Sequence, residues 1–184
     1  MQLAIRHPGR VSALVLVVPL AYKPGAVADS AQPLSPGAEK LLIRLVGSDF
    51  LFWAALHVAR NQVIKYVLAT PPRQVADASP QEQARVNAML DNILPVSARA
   101  GGLRSDTVLA LGLPPYALHS IRVPTLVVST RDDRFGTYAS ARFTADGIEG
   151  AKFVGFEHGG HVWVGHDEEV RGEILKLLGA GVAP

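Results

Sequence analysis

Pro124-Thr125-Leu126-Val127-Val128 runs into the charged turn Arg131-Asp132-Asp133-Arg134, and Ala151-Lys152-Phe153-Val154-Gly155-Phe156 runs into Glu157-His158-Gly159-Gly160-His161. Each is an apolar stretch of strand length that stops at chemically capable residues, and the two follow one another along the chain. If the two stretches are neighbouring parallel strands, their carboxyl ends share one sheet edge, and an acid and a base emerge there within hydrogen-bond reach. An Asp that holds a His in one tautomer makes that His a general base. The nucleophile it would serve is missing from these residues: Gly-x-Ser-x-Gly occurs nowhere in the 184 residues, and there is no cysteine.

Asp133 is the expected acid and Asp132 its rival. The second carboxylate of such a turn lies beyond the strand end, where it can swing to the neighbouring loop; the plainer alternative is that both Asp residues cap the turn. His161 is the expected base, because Gly159 and Gly160 permit a tight loop that brings the imidazole over the sheet edge. His158 and His166 compete with it. Together with Asp167 the three histidines also allow a zinc reading, although their spacing differs from the i, i+4 pair of a helical zinc motif. No metal or other cofactor is expected.

Upstream, Leu3 to Ile5 reads as the last turn of a helix that should have begun earlier, with Arg6 and His7 at its C-terminus and Pro8-Gly9 ending it. Val11 to Val18 is an almost unbroken apolar run with β-branched residues, the pattern of a strand buried on both faces in a parallel sheet. Tyr22 to Pro36, rich in Pro, Gly, Ala and Ser, reads as an extended connection leaving the core. Ala38 to Val46 and Asp49 to Val67 have helical periodicity, with Ser48 or Asp49 as N-cap, and Ser79-Pro80-Gln81-Glu82 opens a helix to about Leu94. No strand pattern appears between residues 37 and 115. Ser140 to Ala145 suits a crossover helix, Lys152 to Phe156 a strand, and Asp167 to Leu178 a final helix with Val170, Ile174, Leu177 and Leu178 on one face. Phe50, Phe52, Trp53 and His57 lie on one very apolar helix, either as core of the helical insertion or as the lining of a pocket above the acid and base.

The composition bounds the rest. With 48% hydrophobic and 18% charged residues, the chain is globular and large enough for one core, with or without an insertion. A formal charge of +2 and scattered basic residues argue against nucleic acid as a partner. Ala13 to Ala21 is interrupted by Pro19 and falls short of the ~20 apolar residues that a membrane span needs, so no membrane partner is expected. The first residues lack the pattern of a secretion signal, and a cytoplasmic location is expected.

The order strand, helical insertion, strand with Asp-Asp, strand with Gly-Gly-His-x-x-x-Gly-His, helix resembles the α/β-hydrolase family. The resemblance covers essentially the whole chain, as the C-terminal part of that fold. Met1 to Arg10 is similar to the helix that follows the nucleophile elbow, and Val11 to Val18 to the sixth strand. It implies a truncated α/β-hydrolase fold of about three parallel strands, the sixth to eighth of the family sheet. Residues 1–19 and 119–184 would form a partial core, and residues 20–118 a helical cap. It further implies a serine-type hydrolase in which His161 takes the proton of the attacking Ser and Asp133 orients His161.

The sequence departs from the family in lacking the elbow, the oxyanion loop and the first five strands. Ser129 cannot substitute, since it lies inside the strand and four residues from Asp133. The 184 residues alone are therefore expected to be inactive, as the acid–base half of an enzyme cleaving an ester or a carbon–carbon bond of a small apolar substrate. The alternative is a non-catalytic module for binding or assembly. In either case the strand Val11 to Val18 is expected to have an unpaired edge, open to dimerisation or a partner fragment.

Overall fold

The computed structural model describes residues 1–25, 37, 44, 47–110 and 112–180. Most of the helix expected over Ala38 to Val46 and most of the connection from Tyr22 to Pro36 lie outside them. Three parallel strands form the sheet, β1 (Leu14–Val17), β2 (Thr125–Thr130) and β3 (Lys152–Phe156), in the order β1-β2-β3. Leu14 pairs with Thr125 and Val17 with Val128; Leu126 pairs with Lys152 and Thr130 with Phe156. That register brings the ends of β2 and β3 level, so the Asp132-Asp133 turn and the glycines before His161 share one edge.

β2 is central, and all six of its residues are buried. Alternation sends Leu126 and Val128 to one face, with Phe156 and Val170, and Val127 to the other, with Ala141 and Ala145. Helix α7 (Tyr138–Asp146) covers the second face and α8 (Asp167–Ala180) the first. Burying Leu126, Val127 and Val128 contributes about 1.5 to 3 kcal/mol for each side chain. In α8, Val170 is buried and Ile174 and Leu177 pack beside it. Leu178 stays 46% exposed. It lies about a quarter-turn to the side of the stripe set by Val170, Ile174 and Leu177, which corrects the expected four-residue face.

The first strand differs from expectation. It begins at Leu14 rather than Val11, and its four residues are only half-buried rather than enclosed on both faces. Helix α1 (Gln2–Arg6) and a 3-10 turn at Pro8–Arg10 take up the chain before it. Val11 to Ala13 serve to reach the register in which the Leu14 N–H meets the Pro124 carbonyl. Among the described residues β1 has β2 as its one strand neighbour.

Between β1 and β2 the described residues form helices and turns: α2 (Asp49–Val58), α3 (Arg60–Tyr66), α4 (Pro72–Ala76), α5 (Pro80–Asp91) and α6 (Ala100–Ala110). Ser48 caps α2 by accepting the Leu51 N–H, and Ser79 caps α5 by accepting the Glu82 N–H, with Pro80 at the first helical position. The helix expected from Asp49 to Val67 breaks in two at Ala59, whose backbone leaves the helical region (φ −140°, ψ 34°). Helix α5 stops at Asp91, short of Leu94. The block has its own core of Phe52, Leu56, Val63, Ile64, Leu68, Val75, Val86, Leu90 and Val96, and that core continues into Val162 and Val164. The helices thus pack on the loop that carries His161.

Candidate active site

The turn after β2 places Asp133 with its side chain fully buried, and the Asp133 Oδ2 lies 2.9 Å from His161 Nδ1. The carboxylate is held from two further sides. Its Oδ1 accepts the Phe135 N–H at 2.9 Å, and its Oδ2 accepts the Thr137 hydroxyl. Thr137 in turn lies 3.1 Å from the buried Ser129 hydroxyl, so Ser129 is committed to the support of Asp133. No buried side-chain polar atom among the described residues lacks a partner.

An acceptor at Nδ1 favours the tautomer with the proton there, leaving the lone pair of Nε2 outward. The imidazole is 28% exposed. Phe135 packs edge-on against it, with ring centroids 4.8 Å apart. Of the two rivals, His158 is 79% exposed and its Nδ1 stands 3.7 Å from Asp132, while His166 stacks flat on Phe156 at 3.9 Å. Neither shares Asp133. Among the described residues no group of three His, Asp or Glu is placed to share a metal ion.

Asp132 has a different task, and it is not the capping of its own turn: it reaches the neighbouring loop and helix α4. Its Oδ1 accepts the Gly160 N–H at 2.9 Å. The loop from 159 to 165 is built from left-handed residues, Gly159 (φ 129°), Gly160 (φ 61°), Trp163 (φ 42°) and Gly165 (φ 84°). Such a loop keeps its shape only where its surroundings hold it. Ala69, itself left-handed at φ 45°, turns its carbonyl toward the site and accepts N–H groups from Arg134 at 3.1 Å and His161 at 3.4 Å. The Thr130 hydroxyl donates to the Gly160 carbonyl at 2.7 Å.

The far end of the loop is tied to α5. Arg85 donates to both carboxylate oxygens of Glu82, at 3.0 and 2.9 Å, and to the Val162 carbonyl at 2.7 Å. Glu82 also accepts the Gly165 N–H at 2.9 Å. Burial acts to raise the Glu82 pKa, but the Arg85 bonds, the Gly165 N–H and the charges of Arg85 and His166 outweigh it and hold it below the ordinary value. A carboxyl depressed on folding stabilises the fold above its unfolded pKa, and that contribution is lost as pH falls through the folded value. Glu82→Gln is accordingly expected to cost about 1.5 to 3 kcal/mol at neutral pH. The difference from the parent should shrink once the pH drops below the ordinary carboxyl value of 4.5, as urea unfolding at a series of pH values would measure.

Of the aromatic residues on α2, Phe52 is fully buried. It lines a cavity of about 390 Å³ together with Val67, Leu68, Ile93, Val96 and Leu103, with Arg99 and Asp106 also at its wall. Leu68 adjoins Ala69, whose carbonyl meets the His161 N–H, so one wall of this cavity borders the attachment of the histidine loop. Phe50 and Trp53 are 71% and 49% exposed, stacked on one another, with Trp53 against His57. Among the described residues they join neither the buried core nor the cavity lining: α2 turns Phe52 and Leu56 inward, and a helix that does so points its 50, 53 and 57 positions away.

The residues that sequence reasoning missed are those that brace the pair: Thr137 and Phe135 at the acid, and at the loop Ala69, Glu82, Arg85, Thr70, whose hydroxyl accepts the Val162 N–H at 3.4 Å, and Gln74, whose side chain accepts the Gly159 N–H at 2.9 Å. The Ser-x-x-Glu pattern at Ser79 to Glu82 was a signal, but it announced a helix start and not a tether. No helix among the described residues is long and apolar enough to cross a membrane.

No family model and no curated protein matches the chain. Solved structures do. An α/β-hydrolase fold protein from Nakamurella multipartita is 25% identical with a TM-score of 0.60, the match covering 98% of this chain and 65% of that one. A probable hydrolytic enzyme from Pseudomonas aeruginosa PAO1 is 17% identical with a TM-score of 0.55, covering 100% and 59%. A serine hydrolase from the polyaromatic-hydrocarbon-degrading bacterium Cycloclasticus zankles is 21% identical with a TM-score of 0.53, covering 97% and 58%. The chain therefore spans less than two thirds of the length of each. A parallel sheet between helices, matched nearly end to end by these structures, identifies the chain as the corresponding part of an α/β-hydrolase fold.

Proposed function

We propose that these 184 residues are the acid–base half of a serine-type α/β hydrolase acting on an ester or carbon–carbon bond of a small apolar substrate. His161 is the general base and Asp133 its orienting acid; a Ser supplied by sequence outside this chain is the nucleophile. The observation that carries this reading is the buried Asp133 carboxylate 2.9 Å from His161 Nδ1, itself fixed by Phe135 and Thr137. In the reaction, Nε2 takes the hydroxyl proton as the Ser attacks, Asp133 stabilises the imidazolium that forms, and His161 then returns the proton to the leaving group. The oxyanion donors would come from outside these residues too.

Residues 1–19 and 119–184 serve as the core part and residues 20–118 as the cap. The apolar character of the substrate is read from the pocket beside Leu68, which is half-open and walled chiefly by apolar side chains and borders the histidine loop without including Asp133 or His161. Hydrolase descriptions of the similar structures support the class of reaction.

The test is the protein as its source makes it, probed with a fluorophosphonate that labels activated serines. A product longer than 184 residues, labelled on a Ser upstream of Met1 and unlabelled in the Asp133→Asn variant, is expected. Labelling or ester turnover by the 184 residues alone would overturn the proposal.

One observation favours the alternative of a binding or assembly module. The half-buried strand β1 has β2 as its one strand neighbour among the described residues, and an open strand edge can take up a second copy or a partner strand. A stable dimer of the 184-residue chain in native extracts would support it.

A further inference from the structure

We propose that Gln74, on helix α4 of the helical block, is a positioning residue for His161, acting through Asp132; the inference rests on the reading of Asp133 and His161 as the acid–base pair. Gln74 stands between the two strand ends that carry the pair. Its Oε1 accepts the Gly159 N–H at 2.9 Å, and its Nε2 donates to the Asp132 Oδ2. The other oxygen of Asp132 accepts the Gly160 N–H at 2.9 Å. Gln74, Asp132 and the successive N–H groups of Gly159 and Gly160 therefore close a ring of hydrogen bonds immediately before His161.

The chemistry of the ring leaves no freedom in the amide. Gly159 offers only a donor, so it requires the oxygen of Gln74; Asp132 is an acceptor, so it requires the nitrogen. Each of the two glycine N–H groups is in a buried residue, where a lost partner costs far more than at the surface. Gly159 and Gly160 both have positive φ, and two N–H groups bound to groups on other segments fix that turn of the backbone. The direction in which His161 leaves the turn is set there. Asp133, next to Asp132, takes the imidazole, so the same two-residue turn holds the loop with one carboxylate and the ring with the other.

Gln74 thereby makes the orientation of the base depend on the helical block. The ring of bonds is neither a contact with substrate nor a part of proton transfer, and its effect appears in the population of His161 seated on Asp133.

The experiment follows the low-field proton resonance of His161 Nδ1–H by NMR in the full-length protein, the signal being assigned by its loss in His161→Gln. Gln74→Glu keeps shape and the acceptor for Gly159 but sets a carboxylate against Asp132. It is expected to lower the ratio of seated to unseated His161 about tenfold, as loss of one charged hydrogen bond would, and the signal falls with it. The double variant Gln74→Glu with Asp132→Asn restores every bond with donor and acceptor exchanged, since the amide introduced at position 132 can donate to the carboxylate introduced at position 74 while still accepting from Gly160. The signal is expected to return in it, which a role in packing alone would not produce.

An undiminished signal in Gln74→Glu, or no recovery in the double variant, would overturn the inference. A parent protein with no such signal would instead overturn the acid–base pair, and the inference with it.

Discussion

On the proposed acid–base reading, His161→Ala is expected to lower the turnover of the full-length protein by about 10²- to 10⁴-fold, the contribution of a positioned general base, while His158→Ala and His166→Ala retain most of it. The geometry separates the three. His161 is bonded to a buried carboxylate, His158 is 79% exposed, and His166 lies flat on Phe156. His166→Ala should cost some stability through the lost stacking, about 0.5 to 1.5 kcal/mol, without a matching loss of rate in enzyme that remains folded. Steady-state kinetics of the three variants, each corrected for its folded fraction, decides the matter. Equal losses at all three positions would point to a shared metal site instead.

Gly160→Ala is expected to destabilise the protein by about 2 to 5 kcal/mol, combining the cost of a left-handed alanine with that of overpacking. A Cβ on Gly160 would stand 2.5 Å from Thr70 Oγ1 and 2.6 Å from both its Cα and Cγ2, so a backbone atom, and not just a mobile side chain, must give way. Thr70 has little room to do so. It is fully buried and its hydroxyl donates to the Leu68 carbonyl at 2.8 Å. Whatever part of the protein stays folded should have its histidine loop pushed off the helices. Thermal unfolding would record the stability change, and the His161 Nδ1 proton signal the displacement. Gly165→Ala is the control: it shares a positive φ, yet its Cβ would meet no atom within 4 Å.

The contact between Asp133 and His161, our proposed acid and base, was legible because both stand where a strand ends, and strand ends are marked locally, by an apolar run giving way to charge or glycine. Lys152 to Phe156 could be read for the same reason, since Gly150 stands just before the run and Glu157 just after it. The break at Ala59 could not, because neither Gly nor Pro announces it and the bend answers to packing on both sides. The length of β1 was hidden too: the largely apolar run from Val11 to Val18 read as strand, but how many residues pair is decided by Thr125 to Val128, far along the chain.

The braces of the site were least legible of all. Gln74 and Asp132 are 58 residues apart, and Glu82 and Gly165 83 apart, so neither pair leaves a pattern in any short window. The aromatic residues of α2 were read correctly as a group on one helix, but which of them faced inward depended on what packs against Phe52 and Leu56.

The attachment of the histidine loop to Thr70, Gln74, Glu82 and Arg85 bears on how such a protein could be remodelled. A helical block joined only by its two ends would be a replaceable part, exchanged to bring a new pocket while the chemistry below stayed intact. Here a graft would carry away the anchors of the histidine loop along with the helices. A successful chimera would have to import those four side chains, or else exchange residues 158–166 together with the helices as a single piece.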